Sequence, residues 1–441
     1  MQKNLVLRVL TIGLLMAILM IPLSMIQGVV HERAGNQKQV VQAIAASLAG
    51  PQAVSGPILL IPYVERQLKA SLDERGREIK TPVELERRAL FVPERVDITA
   101  SADTESRHRG LYKALVYRSR IKVSAEFVVP AHLGTTIAPG QLIPGKGWLA
   151  WCVTDVRGLG AAPRITWAGA AIEAGPGTRL EALGSGFHAD LPVLDISAPA
   201  RYTVAAEFEL AGTSDLGWVP VGKANRVDLK AGWPHPNFGG GFLPVKREVS
   251  DHGFSATWEV SHLSSRNVGL LSDAANKSVK LDLDSFEVAF IEPVNLYLLA
   301  ERATKYGVLF IVLTFGGFFL YETLRRWRLH PLQYGLVGLA LAVFFLLLIA
   351  LSEHIAFVWA YVAAAAAGVS LITYYLAHVL GGWRPALLFC AMLSMLYAAL
   401  FGLLQSEDNA LVMGALLVFA MLAAIMVLTR RIDWYAVGAP E

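Results

Sequence analysis

Sixteen consecutive residues, Tyr306–Tyr321, constrain this chain more than any others. They read YGVLFIVLTFGGFFLY and lead into a trailer containing Arg325, Arg326, Arg328 and His330. In a bilayer only a helix or a closed barrel can carry such a run, because every backbone polar group must be satisfied internally. The run is short of the ~20 residues of a spanning helix. Leu298, Leu299 and Ala300 extend it backwards, and Glu292-Pro293 offers a start with proline in the first turn. The pattern predicts one long helix from about Pro293 to about Arg328, entering the membrane near Lys305. Basic flanks stay on the cytoplasmic side, so the arginines mark a cytoplasmic exit.

The other spans follow from the same reasoning. Lys3 and Arg8 precede an apolar run from Val9 to Val30 that has no small-residue cleavage site, as an uncleaved anchor would. Helical spacing continues through Ala34, Val41, Ile44 and Leu48 to Gly50-Pro51, where glycine caps and proline forbids continuation. Beyond His330 four further spans are expected, near Leu332–Leu351, Ile355–Leu380, Pro385–Leu404 and Ala410–Leu428. Ser352-Glu353-His354 and Glu407-Asp408 form acidic connectors, whereas Arg384 and Arg430-Arg431 are basic, with Trp327, Trp383 and Trp434 at the same interface. This alternation predicts six spans with both termini inside. The expected domains are an anchor (1–30), a periplasmic region (31–304), span 2 with its basic loop (305–330), spans 3–6 (331–429) and a cytoplasmic tail (430–441).

Between spans 1 and 2 the composition changes to that of an all-β or β-rich domain. Candidate strands are Pro57–Val64, Arg88–Val92, Leu111–Arg118, Ile121–Val129, Trp148–Thr154, Tyr202–Leu210, Phe254–Val260 and Val279–Phe290. Arg66–Glu86, charged and weakly patterned, reads as an exposed hairpin or loop. Valine-, alanine- and glutamate-containing strands beginning at Val123, Val204 and Phe254 share a local pattern, from an old duplication or from convergent β composition.

Catalytic spacing is missing from the sequence. It contains no G-x-x-x-x-G-K-[ST], H-E-x-x-H, G-x-S-x-G or C-x-x-C. A net charge of +3 gives no basis for nucleic-acid binding. Cys152 and Cys390 fall in different solvents, so each is expected to stay an unpaired thiol. The expected span interiors carry no Asp, Glu, Lys or Arg, which disfavours an ion-coupled carrier. Thr314, Gly316 and Gly317 suit close helix packing. Tyr374, Tyr375 and His378 share a helix face, as interface anchors or as a small polar site.

Three soluble features remain as site candidates. Asp155 and Arg157 follow a strand, where Arg157 could hold an anion or pair internally with Asp155. Trp233-Pro-His235-Pro-Asn-Phe238 reads as a shaped loop, either a partner-binding surface or a plug at the end of a sandwich. Arg302 and Lys305 lie one turn apart on the stalk of span 2, on the side of Glu353, His354, Glu407 and Asp408. They would dock the stalk onto the acidic connectors or bind lipid phosphates. No cofactor or metal is implied.

Trp233–Val249, with W-P-H-P-x-F and F-L-P-x-K-R-E-V, resembles the signature of the CreD family of Gram-negative inner-membrane proteins. Arg302–Tyr306, Phe319–Leu324, Leu329–Tyr334, Leu351–His354, Thr429–Tyr435, Val30–Arg33 and Gly50–Gln52 add to the resemblance. The resemblance implies a cell-envelope integrity and envelope-stress protein of the Cre two-component regulon, and supplies no catalytic residues. The expected function is therefore non-enzymatic, with the periplasmic domain binding a protein, peptidoglycan or lipid partner. Two alternatives stay open: a membrane enzyme or lipid-handling carrier with its site at the junction of domain and bundle, and an accessory of a membrane histidine kinase. The oligomeric state is not legible.

Reporters fused after Arg328, Arg384 and Glu441 should report cytoplasm, and those after Asp103 and Glu407 periplasm. A periplasmic C-terminus would break the six-span arrangement.

Overall fold

The computed structural model describes residues 2–72, 78–137, 141–274, 281–292, 296–325, 329–406 and 410–430. They divide into a helical unit, Met1–Lys38 with Val294–Glu441, and a β-rich unit, Gln39–Pro293. The chain begins with α1 (Gln2–Ser47), which runs through Pro22 and ends before Gly50-Pro51 as the capping residues dictate.

The β unit opens with β1 (Gln52–Leu72), β2 (Glu78–Phe91), β3 (Arg95–Arg109), β4 (Tyr112–Val129), β5 (Leu142–Pro144) and β6 (Lys146–Val153). It continues with β7 (Arg164–Trp167), β8 (Ala170–Ile172), β9 (Ala174–Pro176), β10 (Gly186–Val193) and β11 (Ala200–Thr213). Then come β12 (Asp215–Val219), β13 (Ala224–Ala231), β14 (Pro236–Gly240), β15 (Lys246–Ser250) and β16 (Gly253–Ser261). Helix α2 (Asn267–Ala274) and β17 (Phe286–Phe290) complete it. Among the described residues the strands form two sheets. One runs β14-β17-β12-β1-β6-β10-β9, with β2 and β5 also paired to β1; the other runs β15-β16-β13-β3-β4-β11-β7-β8.

The two sheets bury one aromatic-rich core between them. Trp218 and Phe286 of the first sheet meet Trp258 of the second, with ring centroids 5.3–6.1 Å apart. Trp151 stacks on Phe187 at 5.2 Å, and Phe187 meets Phe208 edge-on at 5.5 Å. Such pairs add specificity to a large hydrophobic gain. The first sheet is covered on its other face too, where Ile58, Leu60 and Trp148 pack under Leu180, Leu183 and Leu271. Cys152 lies at this second cluster, donating its thiol hydrogen bond to the Leu183 carbonyl at 2.8 Å. Burial pushes that thiol up to about 11. Both cysteines are free.

Several expectations change here. The strands expected at Leu111–Arg118 and Ile121–Val129 are one strand, β4, because Ser119 and Arg120 continue the ladder opposite Leu210 and Glu209. The stretch Val279–Phe290 yields a strand only from Phe286, and residues 275–280 lie outside the described ones. The Arg66–Glu86 stretch belongs to the β1–β2 hairpin, whose ladder runs from Leu59↔Phe91 to Leu72↔Glu78. The expected loop at Trp233–Phe238 enters a strand, since Pro236–Gly240 pairs with β17 at the edge of the first sheet.

The helical unit holds the first part of α1 together with α3 (Leu296–Lys305), α4 (Gly307–Arg325), α5 (Pro331–Ser352), α6 (Phe357–Val379), α7 (Trp383–Gln405) and α8 (Ala410–Thr429). The single helix expected from Pro293 to Arg328 is instead a pair, α3 and α4, bent by 40°. At the start of α4 the packing is close: a Cβ on Gly307 would sit 2.7 Å from the Leu23 side chain of α1. Among the described residues, four helices are long and apolar enough to cross a membrane, and five if the bent pair counts as one span. Helix α8 adds a run of 20 residues without a charged side chain.

The Asp155–Arg157 motif proves to be a fastening. Arg157 Nε lies 2.9 Å from Asp155 Oδ1, and its guanidinium also reaches the Ala46 carbonyl at the end of α1. Asp155 accepts from the Gly50 amide at 3.3 Å, while the Gln52 side chain bonds the Asp155 backbone and the Ala211 carbonyl. Gly158 is required beside them, because a Cβ there would collide with the Ala211 carbonyl and the Gln52 amide. The Arg157 side chain, hydrogen-bonded to it, holds the Asp155 carboxyl at about 2. A depressed carboxyl contributes stability above its unfolded value, about 3.9, and loses it as pH falls through the folded value. The melting-temperature gap between wild type and Asp155→Asn should therefore be constant near neutrality and close between about pH 4 and pH 2. A gap unchanged down to pH 2, measured on the full chain in detergent, would show that the pairing contributes nothing.

Candidate functional site

A groove of about 1020 Å³ lies on the outer face of the first sheet. Its floor comes from β1 and β2, where Pro62 pairs with Arg88 and Val64 with Glu86. Ile143, Pro144 and Gly145 extend the floor beside β1, with Trp148 at its base. The wall is the turn Thr178–Glu181 with Gly184. This turn is fixed from below. The Trp148 indole donates to the Thr178 carbonyl at 3.2 Å, and the Thr178 hydroxyl lies 3.0 Å from the Leu180 and Gly184 carbonyls.

Charged groups of both signs line the groove. Arg179 adopts φ +57, a conformation that side chains other than glycine rarely take, and its guanidinium is held by both oxygens of Asp190. Arg87 is held by Glu65, Nε to Oε2 2.9 Å. Arg88, Glu86 and Glu181 complete the charged lining.

Within the helical unit a second polar group gathers near the ends of α1, α3 and α5. Glu353 receives Arg33 Nε at 3.7 Å and the Tyr297 hydroxyl at 3.3 Å. Glu301 receives Lys305 at 2.9 Å and His31 Nε2 at 3.9 Å. Deeper in the bundle Glu322, only 7% exposed, accepts the Tyr334 hydroxyl at 3.0 Å.

The family described as Inner membrane protein CreD matches residues 4–435. This chain belongs to the CreD family. It is 39% identical to the inner membrane protein CreD of Escherichia coli K12 over 430 residues, covering 96% of this chain and 92% of that one. Two solved structures are reported with it, both far more distant. A putative nutrient binding protein of Legionella pneumophila has TM-score 0.23 at 8% identity, covering 49% of this chain and 82% of that one. An M1 zinc metallopeptidase of Deinococcus radiodurans has TM-score 0.19 at 8% identity, covering 45% and 42%. Likenesses this weak carry no functional argument. Among the described residues of this CreD chain, no group of three His, Cys, Asp or Glu could hold a metal.

The site residues expected from sequence fall in both units. Lys305 meets Glu301 on its own helix, and Glu353 meets Arg33 of α1. Arg302 is half-buried on α3 and His354 is exposed after α5; Glu407 and Asp408 lie outside the described residues. Tyr374 and His378 form an exposed ring pair on α6, centroids 4.7 Å apart. Two CreD-like motifs acquire local roles. His330 caps α5, its Nδ1 accepting from the Leu332 amide while Gln333 accepts from His330, with Pro331 in the first turn. Glu322 and Tyr334 join α4 to α5. Sequence reasoning missed Glu322 as an interior residue, and the groove entirely. Glu322 could have been found as the carboxylate directly after the apolar run, but the groove lining has no motif.

Trp233, His235 and Phe238 form part of the sandwich. The Trp233 indole donates to the Ile291 carbonyl at 2.9 Å, and the exposed His235 meets its ring edge-on at 6.4 Å. Phe238 packs edge-on against Phe254 and Trp258 at 5.6 and 5.7 Å. Trp233 is only half-buried, so Trp233→Ala should cost less than the ~3–5 kcal/mol of a fully buried aromatic. About 1–3 kcal/mol is expected, read as a lower melting temperature of the full chain. An unchanged melting temperature with a lost envelope phenotype would make it a binding surface instead.

Proposed function

We propose that this CreD-family chain is a non-enzymatic protein of cell-envelope integrity and envelope stress. Its β unit is periplasmic and holds an envelope partner in the outer-face groove. Six spans with both termini cytoplasmic accommodate α1, the α3–α4 pair, α5, α6, α7 and α8. The observation that carries the reading is the groove itself. Soluble binding sites are concave and largely pre-formed, and this one is walled by a turn that hydrogen bonds fix and Asp190 clamps. The carrier or enzyme alternative needs free polar groups in the helical unit. Lys305 and Glu353, which it would use, are each engaged in ion pairs there.

A photo-crosslinking residue placed at Ile143, in the groove, tests this in living cells against the same residue at Lys122, on the second sheet. Ile143 should yield a discrete adduct, identifiable by mass spectrometry, that Lys122 does not. Equal adducts from both positions, or none from either, would remove the groove as the site.

A further inference from the structure

The charges lining the groove are not equivalent. Each arginine is already engaged: Arg87 by Glu65, Arg179 by Asp190, and Arg88 by a contact of its own. The two carboxylates are not. Among the described residues neither Glu86 nor Glu181 has a hydrogen-bond or ion-pair partner, although both side chains are exposed to the groove. Glu86 rises from the floor on β2 and Glu181 stands on the wall, so the two flank the space from different elements. Between them lie the apolar surfaces of Pro62, Val64 and Ile143. What an incoming molecule meets is an apolar floor bounded by two uncompensated negative charges.

We infer that the groove receives an extended peptide segment carrying two basic side chains, whose cations meet Glu86 and Glu181 while its aliphatic atoms cover Pro62, Val64 and Ile143. The inference rests on the groove being the binding site, and adds the chemistry of its occupant. A volume of about 1020 Å³ is at the top of the range for small-molecule sites, as a segment of several residues requires. Long basic side chains suit such a place because their methylene stems bury along apolar surface while the charge reaches outward. An acidic segment would face the two carboxylates and find every arginine already occupied. Electrostatic complementarity therefore sets the preference of this groove more than its strength.

The test uses the full-length protein in detergent and two fluorophore-labelled probes, Lys-Ala-Lys-Ala-Lys and Glu-Ala-Glu-Ala-Glu, titrated by fluorescence anisotropy. The basic probe should bind and the acidic one should not. The double variant Glu86→Gln with Glu181→Gln should weaken the basic probe about tenfold, the sum of two exposed ion pairs. Glu86→Lys with Glu181→Lys should reverse the preference. Both positions are exposed, so folding is checked simply by an unchanged melting temperature. Equal binding of the two probes, no binding of the basic probe, or a Gln variant that binds as well as wild type would overturn the inference. The Ile143 crosslink separates the two failures. An adduct that survives in the Gln variant leaves the groove as the site and removes the basic segment, whereas no adduct in wild type removes both.

Discussion

A domain inserted between two helices of another unit must return its chain to nearly the point where it left, and one sheet of this protein is built to do so. The entering strand β1 pairs in parallel with β12, Gln52 opposite Leu216, and β12 pairs antiparallel with the departing strand β17, Leu216 opposite Val288. Entry and exit are thus two strand spacings apart, about 10 Å, and they run in opposite directions. Packed helices have interaxial distances of about 8–10 Å. The separation matches what two neighbouring helices need, and within the helical unit α1 and α3 are neighbours, with His31 near Glu301. The long-range parallel pairing of β1 with β12 is the condition for this return. The Gln52, Asp155 and Arg157 hydrogen bonds fasten the start of β1, where the pairing begins.

How much of this could be read in the sequence depended on whether the cause was local. The end of α1 was legible because Gly50-Pro51 is a local stop, and the start of α5 because Pro331 can occupy a first turn. The strand β3 was missed: its core-facing residues include Ala100 and Ala102, too small to raise the β signal, among Asp, Thr and Ser. β14 was hidden by Pro236, Gly239 and Gly240, which only an edge strand tolerates. The close packing at Gly307 involves Leu23, nearly three hundred residues away in sequence. The groove is the extreme case, because its lining comes from four separated segments that share no pattern. Two of the expected partners, Glu353 and Lys305, were recognised as ionic, but their counterions Arg33 and Glu301 come from packing and helix spacing.

The bundle shows a similar division between motif and function. The motifs at Phe319–Leu324 and Leu329–Tyr334 carry part of the family resemblance, and each has an architectural task. His330 and Gln333 satisfy amides at the first turn of α5, which otherwise lack partners. Glu322 is buried and hydrogen-bonded to Tyr334, so removing either would leave a polar group without that partner inside the bundle. A motif of long, specific sequence therefore needs no reaction to explain it here.

The two sheets differ in what they offer to solvent, and the difference favours one of them as a binding face. On the outer face of the second sheet, several charges are paired within and between strands. Arg95 meets Asp97, Arg226 meets both Asp228 and Glu259, Lys122 meets Glu207, and Arg201 meets Glu126. Pairs this exposed add little stability individually, but a charged partner would have to displace one to gain another. The Arg226 guanidinium holds Asp228 below the usual carboxylate range, as expected of a group whose charge is already used. The first sheet carries the groove on its outer face, and there, among the described residues, two carboxylates are left over after every arginine has been engaged. Net attraction is available where charge is unspent, so a basic segment gains more against Glu86 and Glu181 than against carboxylates such as Asp97, Asp228 and Glu259, which already hold an arginine.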